Sequence, residues 1–467
     1  MNENLYARLV QAFPADRDRP GFITGDGVLS YADLHAGVGR MAALLVARGI
    51  VPGDRIAVQA PKSVEMIMLY LATLQIGAIF TPLNTAYTAA EISFFLEDSE
   101  PALFVTDAVS LADEAQGRAP HTAVHDSQSG DTAAIIYTSG TTGRSKGAML
   151  SHGALFANAR ALHDTWGFTP DDVLLHALPI FHVHGLFIAL HTILLAGGAT
   201  LWLPRFDDAE VLAVMPRATV MMGVPTFYTR LLANPAFTLE AAAPVRLFIC
   251  GSAPLLEQTF DEFQARTGQR ILERYGMSEA VVITSNPLNG ERVAGSVGYP
   301  LPGVDLRIDG GAEVGVIEIR GPSVFSGYWR LPQKTAEEFT ADGYFITGDV
   351  GSQDPDGRVW ISGRAKDLII SGGFNVYPKE IELVIDALPG VIESAVIGVP
   401  HADFGEGVVA VVTGDIDPAA VIAGARESLA AFKAPKHVVI VDDLPRNAMG
   451  KVQKNLLRDA YAKVFER

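Results

Sequence analysis

The chain has 467 residues, too many for one hydrophobic core, so two or more domains are expected. Apolar residues make up 49% and charged residues 19%, the balance of an ordinary globular protein. A formal net charge of −17 argues against a nucleic-acid or anionic-membrane partner, so an anionic ligand must be held by individually placed cations.

Cys250 is the only cysteine, which rules out an intrachain disulfide and suits a reducing cytoplasm. The opening MNENLYARLVQAF lacks the apolar core of a secretory signal, and a cytoplasmic location is expected. Two apolar stretches stand out. Val64 to Pro82 contains Glu65 and Gln75, and Leu178 to Leu203 contains three histidines and a Gly-Gly pair. Both fall short of a clean span of ~20 apolar residues and read as buried helices and strands.

In chain order, Ser30 and Asp33 form a capping-box-like start, with Leu34, Val38, Met41 and Leu45 following at helical spacing. Gly49 stops that helix, Pro52-Gly53-Asp54 turns the chain, and IAVQA reads as a buried strand. ALFVT, AAIIYT, VLLHAL, ATLWL, VMMGV and VRLFIC repeat the theme between helical segments. Such runs predict parallel sheets covered on both faces, an α/β architecture over about the first three hundred residues. From about Gly295, VGYPLPGVDLRID, GVIEIRGP and GRVWISGR predict a small barrel-like β unit. After Gly363 the pattern becomes a compact α+β domain: helices near Pro378–Ile385 and Ala419–Leu429, strands SAVIGV, VVAVVT and HVVIV, and a last helix from about Asn455. The expected division is an N-terminal domain over 1–364 and a small mobile C-terminal domain over 365–467, joined by a tight hinge.

The strongest chemical signal is Tyr137-Thr138-Ser139-Gly140-Thr141-Thr142-Gly143-Arg144-Ser145-Lys146-Gly147, directly after an apolar strand. Hydroxyls, glycines and one lysine in a strand-to-loop segment can wrap polyphosphate. It is not a Walker A loop. Downstream come Tyr275-Gly276-Met277-Ser278-Glu279, Tyr344-Phe345-Ile346-Thr347-Gly348-Asp349, Gly363-Arg364-Ala365-Lys366-Asp367 and Pro445-Arg446-Asn447-Ala448-Met449-Gly450-Lys451. Taken singly, an Asp in a Gly-Asp pair, an Arg in a Gly-Arg pair or Lys451 reads as an ordinary solvated residue. Their joint order does not.

Together these segments resemble the signature motifs of the adenylate-forming superfamily of acyl-CoA synthetases, adenylation domains and luciferases. This chain has Ser145 where the family usually has proline, and Ser278 where it has threonine. The resemblance implies an AMP-forming acid–thiol ligase that joins a carboxylate to ATP and then to CoA. It assigns ATP contacts to Thr138, Ser139, Gly140, Thr141, Thr142, Gly143 and Lys146. Gly251, Ser252 and Ala253 fall beside adenine, and Tyr275, Gly276 and Ser278 join the same nucleotide site. Asp349 and Arg364 fall on the ribose, and Glu279 with Thr141 on Mg²⁺, a hard cation that takes such oxygens. Lys451 becomes the catalytic cation of the first half-reaction. Ser371, Gly372 and Gly373 line the pantetheine tunnel, and Lys366 is the pivot about which the C-terminal domain turns between steps.

The acid is read from cations. An apolar acyl pocket would make an unpaired cation costly. Yet Arg230 follows Val224-Pro225-Thr226-Phe227-Tyr228, which the family puts at the acyl pocket, and Arg274 directly precedes Tyr275. A second carboxylate on the substrate explains both, since guanidinium binds carboxylate through a planar fork. Helical periodicity alone favours a solvated face for Arg230. The resemblance puts His182, with catalytic or acyl-pocket duty, and Met277 beside the acyl group; His184 reads equally as a core histidine. Several stretches, including MGVPTFYTRLL and LPRNAMGKVQK, are very similar to bacterial malonyl-CoA synthetases, which implies malonate. The apolar run Ala280-Val281-Val282-Ile283 departs from that subfamily and leaves room for methylmalonate. Rival readings are a ligase for a short-chain or aryl acid, an amino-acid-activating domain that loads a carrier, and a non-catalytic nucleotide binder. No carrier domain is evident.

Overall fold

The computed structural model of the chain describes residues 2–138, 145–371, 374–401, 403–447 and 450–466, with the Asn375 side chain set aside. It divides into two compact units: residues 1–255, 259–305 and 319–345 form the first, and 256–258, 306–318 and 346–467 the second. The fold is mixed α/β, with a large N-terminal and a small C-terminal part.

In the first unit, helix α1 (Tyr31–Ala47) begins with the anticipated box: Asp33 N–H donates to Ser30 Oγ, and Ser30 N–H to the Asp33 carboxylate. Leu34, Val38, Met41 and Leu45 are all buried. Strands β1 (Arg55–Val58), β2 (Ile79–Pro82), β3 (Leu103–Val105), β4 (Thr132–Thr138) and β5 (Lys146–Ser151) make one sheet in the order β3-β1-β2-β4-β5. It is parallel except for the β4–β5 pair. A second sheet carries β6 (Val173–His176), β7 (Ala199–Trp202), β8 (Val220–Gly223), β9 (Leu247–Cys250), β10 (Leu272–Tyr275), β11 (Thr284–Ser285) and β12 (Ser296–Pro300). Its order is β12-β11-β10-β9-β8-β6-β7, parallel through β7 to β10 and antiparallel beyond. Every position of β8 and β9 is buried, which is why these strands read as unbroken apolar runs. Phe248 of β9 packs with Tyr228, Leu231, Phe237 and Phe263 in one core.

Both long apolar stretches fold inward. Val64–Gln75 forms helix α2, which leads into β2. The second contains a π-helical turn, His184–Ala189, that runs into the helix Leu190–Ala196 and then β7. No helix among the described residues is long and apolar enough to cross a membrane.

In the second unit, β13 (Phe345–Gln353) and β14 (Val359–Arg364) pair antiparallel. Beyond them β15 (Ile369–Ser371), β16 (Phe374–Val376), β17 (Val391–His401), β18 (Gly405–Gly414) and β19 (His437–Val441) make a sheet in which β18 holds β15, β17 and β19. Helices α3 (Pro378–Asp386) and α4 (Pro418–Ser428) bury Ile381, Ile385 and Val421 in one core with Val396, Ala410 and Val412. Helix α5 (Lys454–Tyr461) contributes Leu457 to another core with Ile397 and Val411.

Candidate active site

Four polar constellations emerge, two in each unit. The first begins where β4 and β5 end. Thr138 and Lys146 are paired across that ladder, so the two ends of the hydroxyl-rich segment are fixed side by side. Ser139, Gly140, Thr141 (the expected metal ligand), Thr142 and Gly143 lie outside the described residues. The Lys146 ammonium sits 4.1 Å above the Tyr328 ring and 3.1 Å from the Glu338 carboxylate. The Tyr328 hydroxyl in turn donates to Glu279, a buried carboxylate, at 3.0 Å. A Mg²⁺ ion with bound polyphosphate needs only one or two protein carboxylates, and the buried Glu279, linked to Lys146 through Tyr328, is a group that fits that demand.

The second constellation surrounds Arg274 at the end of β10. Its guanidinium is buried, donates from Nη2 to Ser252 Oγ at 3.5 Å, and forms no ion pair with any described residue. Burial draws its pKa down to about 10, against the nearby Cys250, Tyr228 and Glu273, which favour the charge. Ser252 Oγ also meets His184 Nδ1 at 3.2 Å. A hydroxyl that accepts from Arg274 donates its own proton to His184 Nδ1, which leaves the imidazole proton on Nε2. Burial, with the Arg274 charge beside it, holds His184 well below the usual histidine pKa. Two buried donors, Arg274 Nε and His184 Nε2, therefore have no hydrogen-bond partner among the described residues. Unmet donors around a buried cation are complementary to a carboxylate.

The backbone here is strained. Ser252 at φ 72° and Val281 at φ 61° both occupy the left-handed region. For a β-branched residue that is a true outlier, of the kind that costs about 1–3 kcal/mol. Gly276 is forced: a Cβ there would come 1.9 Å from the Val281 carbonyl oxygen. Ala280, Val281, Val282 and Ile283 are fully buried. Met277, Ser278 and Ala253 are half-buried nearby in sequence. His182 is half-buried and accepts from the His184 N–H at 3.3 Å just before the π-turn. Arg230 is different: it is exposed in the last turn of the helix Pro225–Ala233, its guanidinium 6.0 Å from the Phe206 ring.

In the second unit, Asp349 and Arg364 face each other across β13 and β14 and form an ion pair at 2.8 Å. Thr347 Oγ accepts the Asp349 N–H and donates to the Ile317 carbonyl, which fixes the strand turn at Gly348. Lys366 is exposed on a short 3₁₀ turn, Ala365–Asp367. Ser371 is buried at the end of β15, whereas Gly372 and Gly373 lie outside the described residues. Just beyond, exposed Phe374 stacks on Phe432 at 4.6 Å, with the Lys433 ammonium over Phe432.

Lys451, exposed, sits on a hairpin whose arms are clasped at both ends. Asn447 and Lys451 exchange two hydrogen bonds, N–H to carbonyl at 2.9 Å and N–H to Oδ1 at 3.0 Å. Arg446 donates to the Gly450 carbonyl and pairs with Glu393 on β17. Lys454 pairs with Glu382 on α3. Sequence reasoning did not single out Tyr328, Glu338, Glu393 or Glu382, because each acts on a residue far away in the chain.

The AMP-binding enzyme model matches residues 10–329, and the AMP-binding enzyme C-terminal domain model matches 380–451. The chain belongs to the AMP-binding enzyme family. A malonate–CoA ligase of Arabidopsis thaliana is 35% identical over 88% of this chain and 78% of its own. A feruloyl-CoA synthase of an Amycolatopsis species is also 35% identical, over 94% of this chain and 95% of its own. The ATP-bound crystal structure of MatB from Rhodopseudomonas palustris superposes with a TM-score of 0.97 at 53% identity, covering both chains completely.

Proposed function

We propose that the protein is an ATP-dependent malonate–CoA ligase of AMP-forming type. One malonate carboxylate attacks the α-phosphorus of ATP and expels pyrophosphate; the CoA thiol then attacks the adenylate carbonyl, loses its proton and expels AMP. The observation that carries malonate is the buried Arg274 guanidinium, which makes no ion pair with any described residue and lies beside the unmet His184 donor. A monocarboxylate would leave that cation buried and uncompensated, whereas the distal carboxylate of malonate supplies the missing partner. Arg230, His182 and Met277 complete the acyl pocket in this reading.

The chain's other residues divide the remaining labour. Thr138, Lys146 and the hydroxyl-rich segment hold the phosphates, Gly251 to Ala253 and Tyr275 to Ser278 the adenine side, and Asp349 with Arg364 the ribose. Magnesium, held by Glu279, would neutralise phosphate charge when bound. Lys451 neutralises the charge that grows between carboxylate and α-phosphate. For the second step, residues 365–467 turn about Lys366, Ser371 and the glycines after it admit pantetheine, and the Phe374–Phe432 pair offers the CoA adenine a stacking face beside Lys433. A cytoplasmic location goes with this reading.

Thioester formation with ATP, Mg²⁺ and CoA, offered malonate, methylmalonate, acetate, octanoate, ferulate and benzoate side by side, tests it. Dominance of malonate or methylmalonate supports the assignment. A monocarboxylate or aryl acid as best substrate would remove it while leaving the ligase chemistry.

A further inference from the structure

The segment Phe325–Trp329 runs between the two groups that this reading gives to the nucleotide. Along one side, the Gly327 carbonyl accepts from the Met149 N–H, while the Ser326 and Trp329 N–H groups donate to the Met149 and Gly147 carbonyls, so the segment lies against β5 just past Lys146. At its start, the Phe325 N–H donates to the Glu279 carbonyl at 2.7 Å. Tyr328 in the middle is buried at 4% exposure and touches both functional groups with different parts of one side chain. Its ring lies under the Lys146 ammonium at 4.1 Å, and its hydroxyl donates to Glu279 Oε1 at 3.0 Å. Thr335 pins the Tyr328 backbone through its Oγ at 2.9 Å.

We propose that Tyr328 is the positioning residue of the nucleotide site, its ring holding the phosphate cation Lys146 and its hydroxyl aiming the metal-binding carboxylate Glu279. The proposal rests on the nucleotide reading of Lys146 and Glu279. The physical basis is that the two faces of a tyrosine do separate work. The electron-rich face attracts an ammonium, and the phenol donates a strong hydrogen bond to a carboxylate. Glu338, 3.1 Å from the Lys146 ammonium, supplies the counter-charge that helps keep it over the ring before phosphate arrives. A single rigid aromatic then fixes the spacing between a cation and a carboxylate whose tasks, on phosphate and on magnesium, must be met together.

The two roles separate by substitution. Tyr328→Phe keeps the ring and removes the hydroxyl; Tyr328→Leu removes both. ATP binding to the full chain is measured by calorimetry twice, in EDTA and in Mg²⁺, so the readout does not depend on turnover. For Tyr328→Phe the expected result is unchanged ATP affinity in EDTA and a loss of about fivefold or more in the tightening produced by Mg²⁺. Tyr328→Leu should in addition weaken ATP in EDTA by about threefold or more. Lys146→Ala and Glu279→Gln run alongside. If Lys146→Ala leaves ATP binding untouched, the nucleotide reading itself fails. If Lys146→Ala and Glu279→Gln act as expected but Tyr328→Phe leaves the Mg²⁺ effect intact, or weakens both conditions equally, the positioning role is wrong. Should Tyr328→Leu not fold, the Tyr328→Phe comparison decides alone.

Discussion

Arg364 and Asp349 are directly opposed residues of the β13–β14 ladder, and their side chains close an ion pair at 2.8 Å. Asp349 is buried while Arg364 is partly open, so the pair presents an oriented carboxylate edge rather than a surface charge. Asp349→Ala should weaken ATP binding by about 10- to 100-fold, the value of hydrogen bonds to a charged group. Calorimetric titration with ATP checks this. A fall in melting temperature with intact ATP affinity would make the pair purely structural.

Arg274 can be tested without being replaced. A Cβ added at Gly251 would meet its guanidinium at 2.5–2.8 Å, and that glycine has no positive φ to forbid alanine. Gly251→Ala should therefore displace the cation and lower kcat/KM for malonate more than it lowers ATP affinity. Arg274→Ala should cost about 100-fold or more on malonate, as expected when a buried charge pair loses one partner. Equal losses on malonate and on a monocarboxylate would show that Arg274 supports the fold instead.

The Lys451 hairpin carries a prediction about geometry. Lys451→Ala should slow adenylate formation, followed by pyrophosphate release, by about 100- to 1,000-fold. Arg446 ties that hairpin to β17 through Glu393 and to the tip through the Gly450 carbonyl. Glu393→Arg should slow the same step, and the exchanged pair Glu393→Arg with Arg446→Glu should recover part of it. No recovery would mean that the ion pair is incidental.

Asp386 gives the C-terminal unit a pH dependence of its own. Burial lifts its pKa from 3.8 to about 7, against the lowering effect of the Ser394 hydroxyl bond and Lys379, while Glu382 and Glu393 raise it further. The folded state thus holds a proton that the unfolded chain has released by about pH 4. Stability from this group is full below the unfolded pKa, declines from about pH 4 to 7, and is level above. Asp386→Asn keeps an acceptor for Ser394 and removes the titration. Its melting temperature relative to the native protein should rise between pH 5 and 7 and then stay constant, a gap of up to about 4 kcal/mol. A gap independent of pH would show that Asp386 does not titrate in this range.

Much of the architecture was legible because it is written locally. The Ser30–Asp33 box, the all-buried β8 and β9, and the helix from Pro378 each depend on neighbours within a few residues. The candidate site was read from an ordered set of motifs, which singled out Asp349, Arg364 and Lys451 but not the residues that surround them. Glu393 for Arg446, Tyr328 for Glu279 and Ser252 for His184 lie 49 to 68 residues away in the chain, beyond any local periodicity. The π-turn at His184 was hidden for a different reason: its composition matches that of any buried helix. The left-handed Val281 was masked by its own identity, since valine is the last residue from which a positive φ would be guessed.

Cys250 is the only cysteine and is wholly enclosed at the end of β9, where burial pushes its thiol well above the usual range. The folded protein therefore offers no thiolate to a maleimide or an iodoacetamide. A cysteine introduced at an exposed position of the second unit, such as Leu456, becomes the single address for a dye. The native background is silent, so the proposed turning of residues 365–467 can be tested optically in an otherwise unaltered chain.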